Sequence, residues 1–368
     1  MKLQVRQEIA KILYNCEQQS LAQSPQSVMA FQKGQMNIVA HGLTSLAIAR
    51  GCFPRRGWSI AVGMLVAGTI ADVDAVSGFF GPSAYLRWHQ TYTHSLVGTL
   101  CVLAIGMAVA ISAGARKGST LPWIALAMLV AAVGHVMMDL WQSDGVTVLW
   151  PIRGTRFAAD FVPGTDPWIL TLLVLGLGIP EIFRLVNSEI GAKDKAPRGR
   201  NGSLIALTLI LAYVGVRDLF HANAMAALDA HAYKGESPRI IGAFADTLSI
   251  FTWHGIAETQ SMVCLVDVRV DPSAQFDADA ASCQHKPEPS AALELARKTD
   301  SAQEFLRVER FPKATVEKTP DGYEVGIRSM RDLAESEIER RAEVKVYLNS
   351  VPVVLEEELK WVSSLRER

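Results

Sequence analysis

Between residues 36 and 220 the chain is a succession of apolar runs, and ionisable side chains break into them at only a few places. No other feature limits the fold as strongly. A segment inside a bilayer has no water for its backbone, so an apolar run must satisfy its own N–H and C=O groups as a helix. Crossing the hydrocarbon takes about 20 apolar residues. Residues 95–115 and 119–138 meet that length. The runs 36–49, 57–71, 167–180 and 201–216 are shorter and make less secure spans. The expected helices cover roughly 37–52, 58–73, 95–114, 120–141, 167–186 and 202–220.

After residue 220 the pattern changes. Val266, Val268 and Val270 alternate with Asp267, Arg269 and Asp271, a strand period. Tyr323, Val325 and Ile327 alternate after the turn Pro320-Asp321-Gly322, and Val344, Val346 and Leu348 follow suit. Residues 272–290, rich in Asp, Ala, Ser and Pro, read as a loop, and 290–298 and 355–366 read as helices. The expected fold is an all-α polytopic membrane bundle followed by a small α+β soluble domain. Its divisions are a polar extension (1–35), a membrane helical domain (36–220) and a soluble domain (221–368). The extension lacks the order of a signal peptide, and Met36 is the alternative start of the functional chain.

The connections between helices sort by charge. Arg50, Arg55, Arg56, Arg116, Lys117, Arg184, Lys193, Lys195, Arg198 and Arg200 fall on one side. Arg87, Arg153 and Arg156 fall on the other. The basic side is expected in the cytoplasm. That topology brings His41, Asp72, Asp74, His89, His94, His135 and Asp139 to the opposite, non-cytoplasmic face. Ionisable groups at membrane depth are costly and usually functional.

The chemistry of these residues points to a divalent cation. His135 and Asp139 are spaced i, i+4 and share a helix face. Alone, such a pair is as readily a histidine and a carboxylate satisfying each other. Imidazole and carboxylate together suit Zn²⁺, with Mn²⁺ or Fe²⁺ as alternatives. The expected ligands are His41, Asp72, His94, His135 and Asp139. Asp74 or His89 would act as general base or serve a second ion. Thr93 or Ser95 would cap the third helix and aim His94 inward. One or two cations would activate water, which makes hydrolysis of an ester or phosphoester the best-suited reaction. Arg87, Arg153 and Arg156 could hold an anionic group or contact lipid headgroups. His254 and Glu258, also four apart, read as structural.

The formal charge of -1 gives no general pull toward nucleic acid. The five cysteines form no CxxC, which argues against a zinc ribbon. Cys264 and Cys283 could pair if the soluble domain lies in an oxidising compartment.

Asn37-Ile-Val-Ala-His41-Gly42, Asp72-Val-Asp74, His89-x4-His94-Ser95 and His135-x3-Asp139-x5-Gly145 with Trp150-Pro151 resemble the YdjM-type membrane-bound metal-dependent hydrolases, also described as LexA-binding and inner-membrane-associated. The similarity continues through Phe251-Thr-Trp253 with Glu258, Arg310-Phe311-Pro312, and Met330-Arg331-Asp332. The resemblance implies a multi-pass protein of the bacterial inner membrane, a divalent metal and hydrolase activity; location in the membrane, not the resemblance, points to a lipid-linked ester or phosphoester as substrate. The rival reading is a non-catalytic membrane protein that docks a soluble protein partner and holds a structural metal.

Overall fold

The computed structural model describes residues 38–54, 57–115, 120–189, 199–271, 276–331 and 340–363. The extension 1–35, Met36, Asn37, the basic residues Arg55, Arg56, Arg116, Lys117, Lys193, Lys195 and Arg198, and Asp332 lie outside the described residues.

An α-helical bundle comes first. Its helices are α1 (Ile38–Cys52), α2 (Trp58–Ala67), α3 (Pro82–Trp88), α4 (Leu96–Ser112), α5 (Leu121–Leu140), α6 (Pro167–Glu189) and α7 (Arg200–Asp229). The second expected helix ends early, at Ala67. Thr69 turns its hydroxyl back onto the Leu65 carbonyl at 2.8 Å, a bond that competes with helix propagation. The chain then tightens into a 3-10 helix, Ile70–Phe80, which carries both aspartates. With it, Trp58–Phe80 becomes long enough to cross a membrane, as are α5, α6 and α7. α1 and α4 are shorter apolar helices; α4 has 17 residues, fewer than its apolar run promised. The last helix continues past residue 220 to Asp229.

Two apolar cores organise the bundle. Met64 and Ala67 of α2, Val102 and Ala110 of α4, and Ile124 and Met128 of α5 form one. The other starts between α1, α6 and α7, where Ala47, Leu173 and Ile210 meet. It continues without a break into the soluble part, where Leu228 packs with Trp253 and Ala257. Outward positions of α6 and α7, among them Phe183, Leu185, Ile205 and Leu211, stay apolar and exposed. Lipid is the solvent that suits such a surface.

The α+β part contains two antiparallel meanders of four strands each. The first is β1 (Ile240–Ala245), β2 (Thr252–Glu258), β3 (Met262–Arg269) and β4 (Ser282–His285). The second is β5 (Pro312–Thr319), β6 (Gly322–Ser329), β7 (Arg340–Asn349) and β8 (Val354–Ser363). Two short helices, α8 (Ala291–Arg297) and α9 (Asp300–Val308), pack against the second sheet. Two expectations are corrected. Residues 282–285 are a strand rather than loop, paired with β3 and joined to it by the Cys264–Cys283 disulfide. Residues 354–363 are strand β8 rather than helix. Leu355, Leu359 and Val362 fit a helical period, but backbone pairing with β7 decides the conformation.

Arg217 of α7 joins the two parts. It is fully buried and donates to the carbonyls of Phe161 (2.9 Å), Ser249 (3.2 Å) and Asp246 (3.0 Å). Those bonds satisfy a guanidinium that burial would otherwise penalise heavily.

Candidate metal centre

Four stretches of chain converge at one end of the bundle. His41 comes from the first turn of α1, Asp72 from the 3-10 helix, His94 from the residue before the α4 cap, and His135 and Asp139 from the last turns of α5. Donor atoms of His41, Asp72, His135 and Asp139 all lie within 4.8 Å of one another. His94 completes the set: its Nε2 is 3.1 Å from Asp139 Oδ2 and 3.0 Å from His135 Nε2. His135 Nε2 lies 3.3 Å from the same Asp139 oxygen, and His41 Nε2 3.2 Å from Asp139 Oδ1. Asp72 Oδ1 stands 3.6 Å from His135 Nε2 and 3.8 Å from His94 Nε2. Ligands about 2.1 Å from a common cation sit about 3–3.5 Å from each other, so these spacings suit one ion.

The outer hydrogen bonds fix which nitrogen faces inward. His135 Nδ1 donates to the Gly68 carbonyl at 3.0 Å, which leaves Nε2 for the centre. Gly68 permits this because a Cβ there would lie 1.8 Å from Ser45 Oγ, so α1 could not approach. His94 Nδ1 lies 3.1 Å from Asp74 Oδ2 and 2.9 Å from Thr93 Oγ1. His94 and His135 therefore aim unprotonated Nε2 lone pairs at each other unless a proton or a cation stands between them. Around them, Asp72 Oδ2, Asp139 Oδ2 and both nitrogens of His41 are buried without an aligned hydrogen bond. Buried acceptors left this way are costly. Three imidazoles and two carboxylates pointing their lone pairs into one space fit a divalent cation, and mixed nitrogen and oxygen donors suit zinc, manganese or iron.

Asp74 lies outside this ring of donors. A 3-10 helix turns about 120° per residue, so carboxylates two apart diverge. Asp72 faces the centre and Asp74 faces the 89–94 loop. Asp74 Oδ1 accepts from His89 Nδ1 at 2.7 Å, and Oδ2 accepts from the Gln90 N–H at 2.9 Å and from the Thr93 hydroxyl. His89 is therefore one carboxylate removed from the candidate ligands, its ring centroid 6.2 Å from that of His94. Ser95 caps α4, accepting from Gly98 N–H at 3.0 Å, while Thr93 braces His94; the two share the task that either was expected to perform.

Gln142 and Tyr85 escaped sequence reasoning, and Arg156, expected to meet an anion or lipid, braces the site instead. Gln142 donates to Asp139 Oδ1 at 3.1 Å. Its signal was its position one turn after Asp139. Arg156 donates to the carbonyls of Gly145, Leu86 and His89 and to the Thr91 hydroxyl, so its guanidinium braces the histidine loop. Arg87 pairs with Glu304 of α9, and Arg153 is exposed. Tyr85 stacks on His89 at 4.5 Å; burial, then the negative charges of Asp144 and Asp74, hold its phenol well above the ordinary range. His254 and Glu258 sit on strand β2, where His254 meets Asp267 at 2.9 Å and Glu258 meets Lys286 at 2.6 Å.

Neither a curated protein nor a solved structure matches the chain. The family model for the YdjM inner membrane protein matches residues 36–224, which include every helix-borne donor of the centre. With half of the chain matched and helices that can span a bilayer, the chain belongs to the YdjM inner membrane protein family.

Proposed function

We propose that this protein is an integral membrane metal-dependent hydrolase acting on an ester or phosphoester of a membrane-associated substrate. His41, Asp72, His94, His135 and Asp139 hold a divalent cation, zinc being the first candidate. The observation that carries the reading is the convergence of His41, Asp72, His135 and Asp139, with His94 beside them, around buried His41, Asp72 and Asp139 atoms that have no aligned hydrogen bond. A cation held there supplies Lewis acidity and lowers the pKa of water toward neutrality.

The surrounding residues take the other roles. Asp74 and His89, joined by the 2.7 Å Asp74 Oδ1–His89 Nδ1 hydrogen bond, would serve as the general base for the attacking water or hold a second ion. Asp74 also fixes the His94 tautomer, a carboxylate–histidine arrangement that raises ligand basicity. The site and the α+β domain belong on the non-cytoplasmic face. Supporting that side are the Cys264–Cys283 disulfide, which needs an oxidising compartment, and the basic residues Arg50, Arg184 and Arg200 at the opposite helix ends.

The test is elemental analysis of detergent-purified protein, followed by a phosphodiesterase and esterase screen. Stoichiometric zinc, manganese or iron with turnover supports the reading, and protein without metal overturns it. One observation favours a second reading, a structural ion in a membrane protein that docks a partner. His41, His94, His135 and Asp139 are each at most 3% exposed, and only Asp72 reaches the surface, with 16% of its side chain. A closed structural site has no open coordination position. Cobalt-substituted protein whose visible spectrum ignores added anions would favour that alternative.

A further inference from the structure

The last carbonyls of a helix have no partner inside it. At the end of α5, one residue after Asp139, they are met from a neighbouring segment. Ala159 N–H donates to Leu140 O at 2.8 Å, Val162 N–H to Trp141 O at 3.0 Å, and Asp160 N–H to Gln142 O at 3.4 Å. Residues 159–162 thus cap the helix that carries two of the five ligands. Within this cap Asp160 has φ 64°, a left-handed conformation that aspartate tolerates better than most side chains and that turns its carboxylate outward from the cap.

The carboxylate is gripped from the far end of the chain. Arg310, just before β5, places Nη1 2.9 Å from Asp160 Oδ2 and Nη2 2.5 Å from Oδ1. The same Nη2 lies 3.1 Å from the Ser143 carbonyl. One guanidinium therefore bridges both limbs of the turn that follows α5. Between those limbs, Gln142 reaches back to Asp139 Oδ1. Arg331 adds a second grip on the same turn, 2.8 Å from Asp144.

We propose that Arg310, in the α+β domain, is a positioning residue for the metal centre. Through Asp160 it holds the cap of α5 and, through Gln142, the orientation of Asp139. The α+β domain is then part of the cation site rather than a passenger beside it. The inference rests on the metal reading above. It also requires a planar, two-pronged donor, because a lysine ammonium cannot reach both carboxylate oxygens and the Ser143 carbonyl in this geometry.

The experiment uses the full chain in detergent and measures Co²⁺ and Zn²⁺ affinity by competition with a chromophoric chelator, together with the visible bands of bound Co²⁺. Arg310→Ala is expected to weaken binding about tenfold, as loss of outer support does at other sites, and to shift the Co²⁺ bands. Arg310→Lys should fall between the two. Arg269→Ala, which breaks an exposed pair with Asp271, should match the wild type. If Arg310→Ala does not fold, Asp160→Asn tests the same bond from its other side. Wild-type affinity and spectrum in both Arg310→Ala and Asp160→Asn overturn the proposal and leave the metal reading intact. A wild-type protein that binds neither ion overturns both.

Discussion

The molecule holds two groupings of histidine with aspartate, and they are built oppositely. On the first sheet, His254 points Nδ1 at Asp267 (2.9 Å) and Nε2 at Asp246 (3.5 Å), from opposite sides of its ring. Its partners are partly exposed, Asp267 by 71% of its side chain. Each is a separate, partly solvated surface contact, worth at most about 1 kcal/mol. In the bundle, His94 and His135 direct their outer nitrogens to a carboxylate and a carbonyl and their inner ones toward a common point, where His41 Nε2 also meets Asp139. The same residue types thus make diverging pairs in water and a converging set beneath apolar walls. Residue identity is a weak sign of a metal site, and the direction of the lone pairs is a strong one.

The largest expected effect tests that contrast directly. His135→Ala or Asp139→Ala should reduce bound metal from stoichiometric to background by elemental analysis, whereas His254→Ala should leave it unchanged. Equal loss in all three would break the comparison. Next, Cys264→Ser should destabilise the α+β domain by about 3 kcal/mol, given the 19-residue separation of the two cysteines, yet keep the metal. Thermal unfolding followed alongside metal content would check this. Asp74→Asn should weaken metal affinity by about 10- to 100-fold, because the amide no longer enforces the His94 tautomer; chelator competition measures it.

The smallest effect concerns Glu236. Hydrogen bonds from Ser261 and Thr259 lower its pKa to about 2 from 4.5. Its folded pKa is below the unfolded one, so its stabilisation is present above about pH 4.5 and fades as pH falls toward 2. Glu236→Gln should flatten that part of the acid-unfolding profile of the α+β domain without altering the cation site.

The two regions also differ in how far the sequence reveals them. The helices of the bundle were legible because apolar runs have one way to satisfy their backbone in lipid. The candidate ligands stood out because a histidine or aspartate is conspicuous inside such a run. What could not be read was direction. Nothing local says that Asp72 faces the centre and Asp74 the His89 loop; that follows from the change to a 3-10 helix after Gly68. Nor could Arg310 be tied to Asp160, because the two meet only through the tertiary fold. In the α+β domain the alternation of β3 and β6 was plain. β8 was misread because Leu355, Leu359 and Val362 fit a helical period. Partner strand β7 decides that segment, and local sequence does not encode the partner.

α7 has 30 residues and so extends about 45 Å, against about 30 Å of hydrocarbon. Its excess length packs against the first sheet before the chain turns through residues 230–239 into β1. Leu228 lies against Gly255 so closely that a Cβ on that glycine would come within 2.8 Å of it, and Trp253 closes over the same helix. The helix thus works like a mast stepped in the bilayer with the first sheet bolted to its head. A tilt of the helix in the membrane is therefore transmitted to that sheet through this packing as well as through the connecting chain.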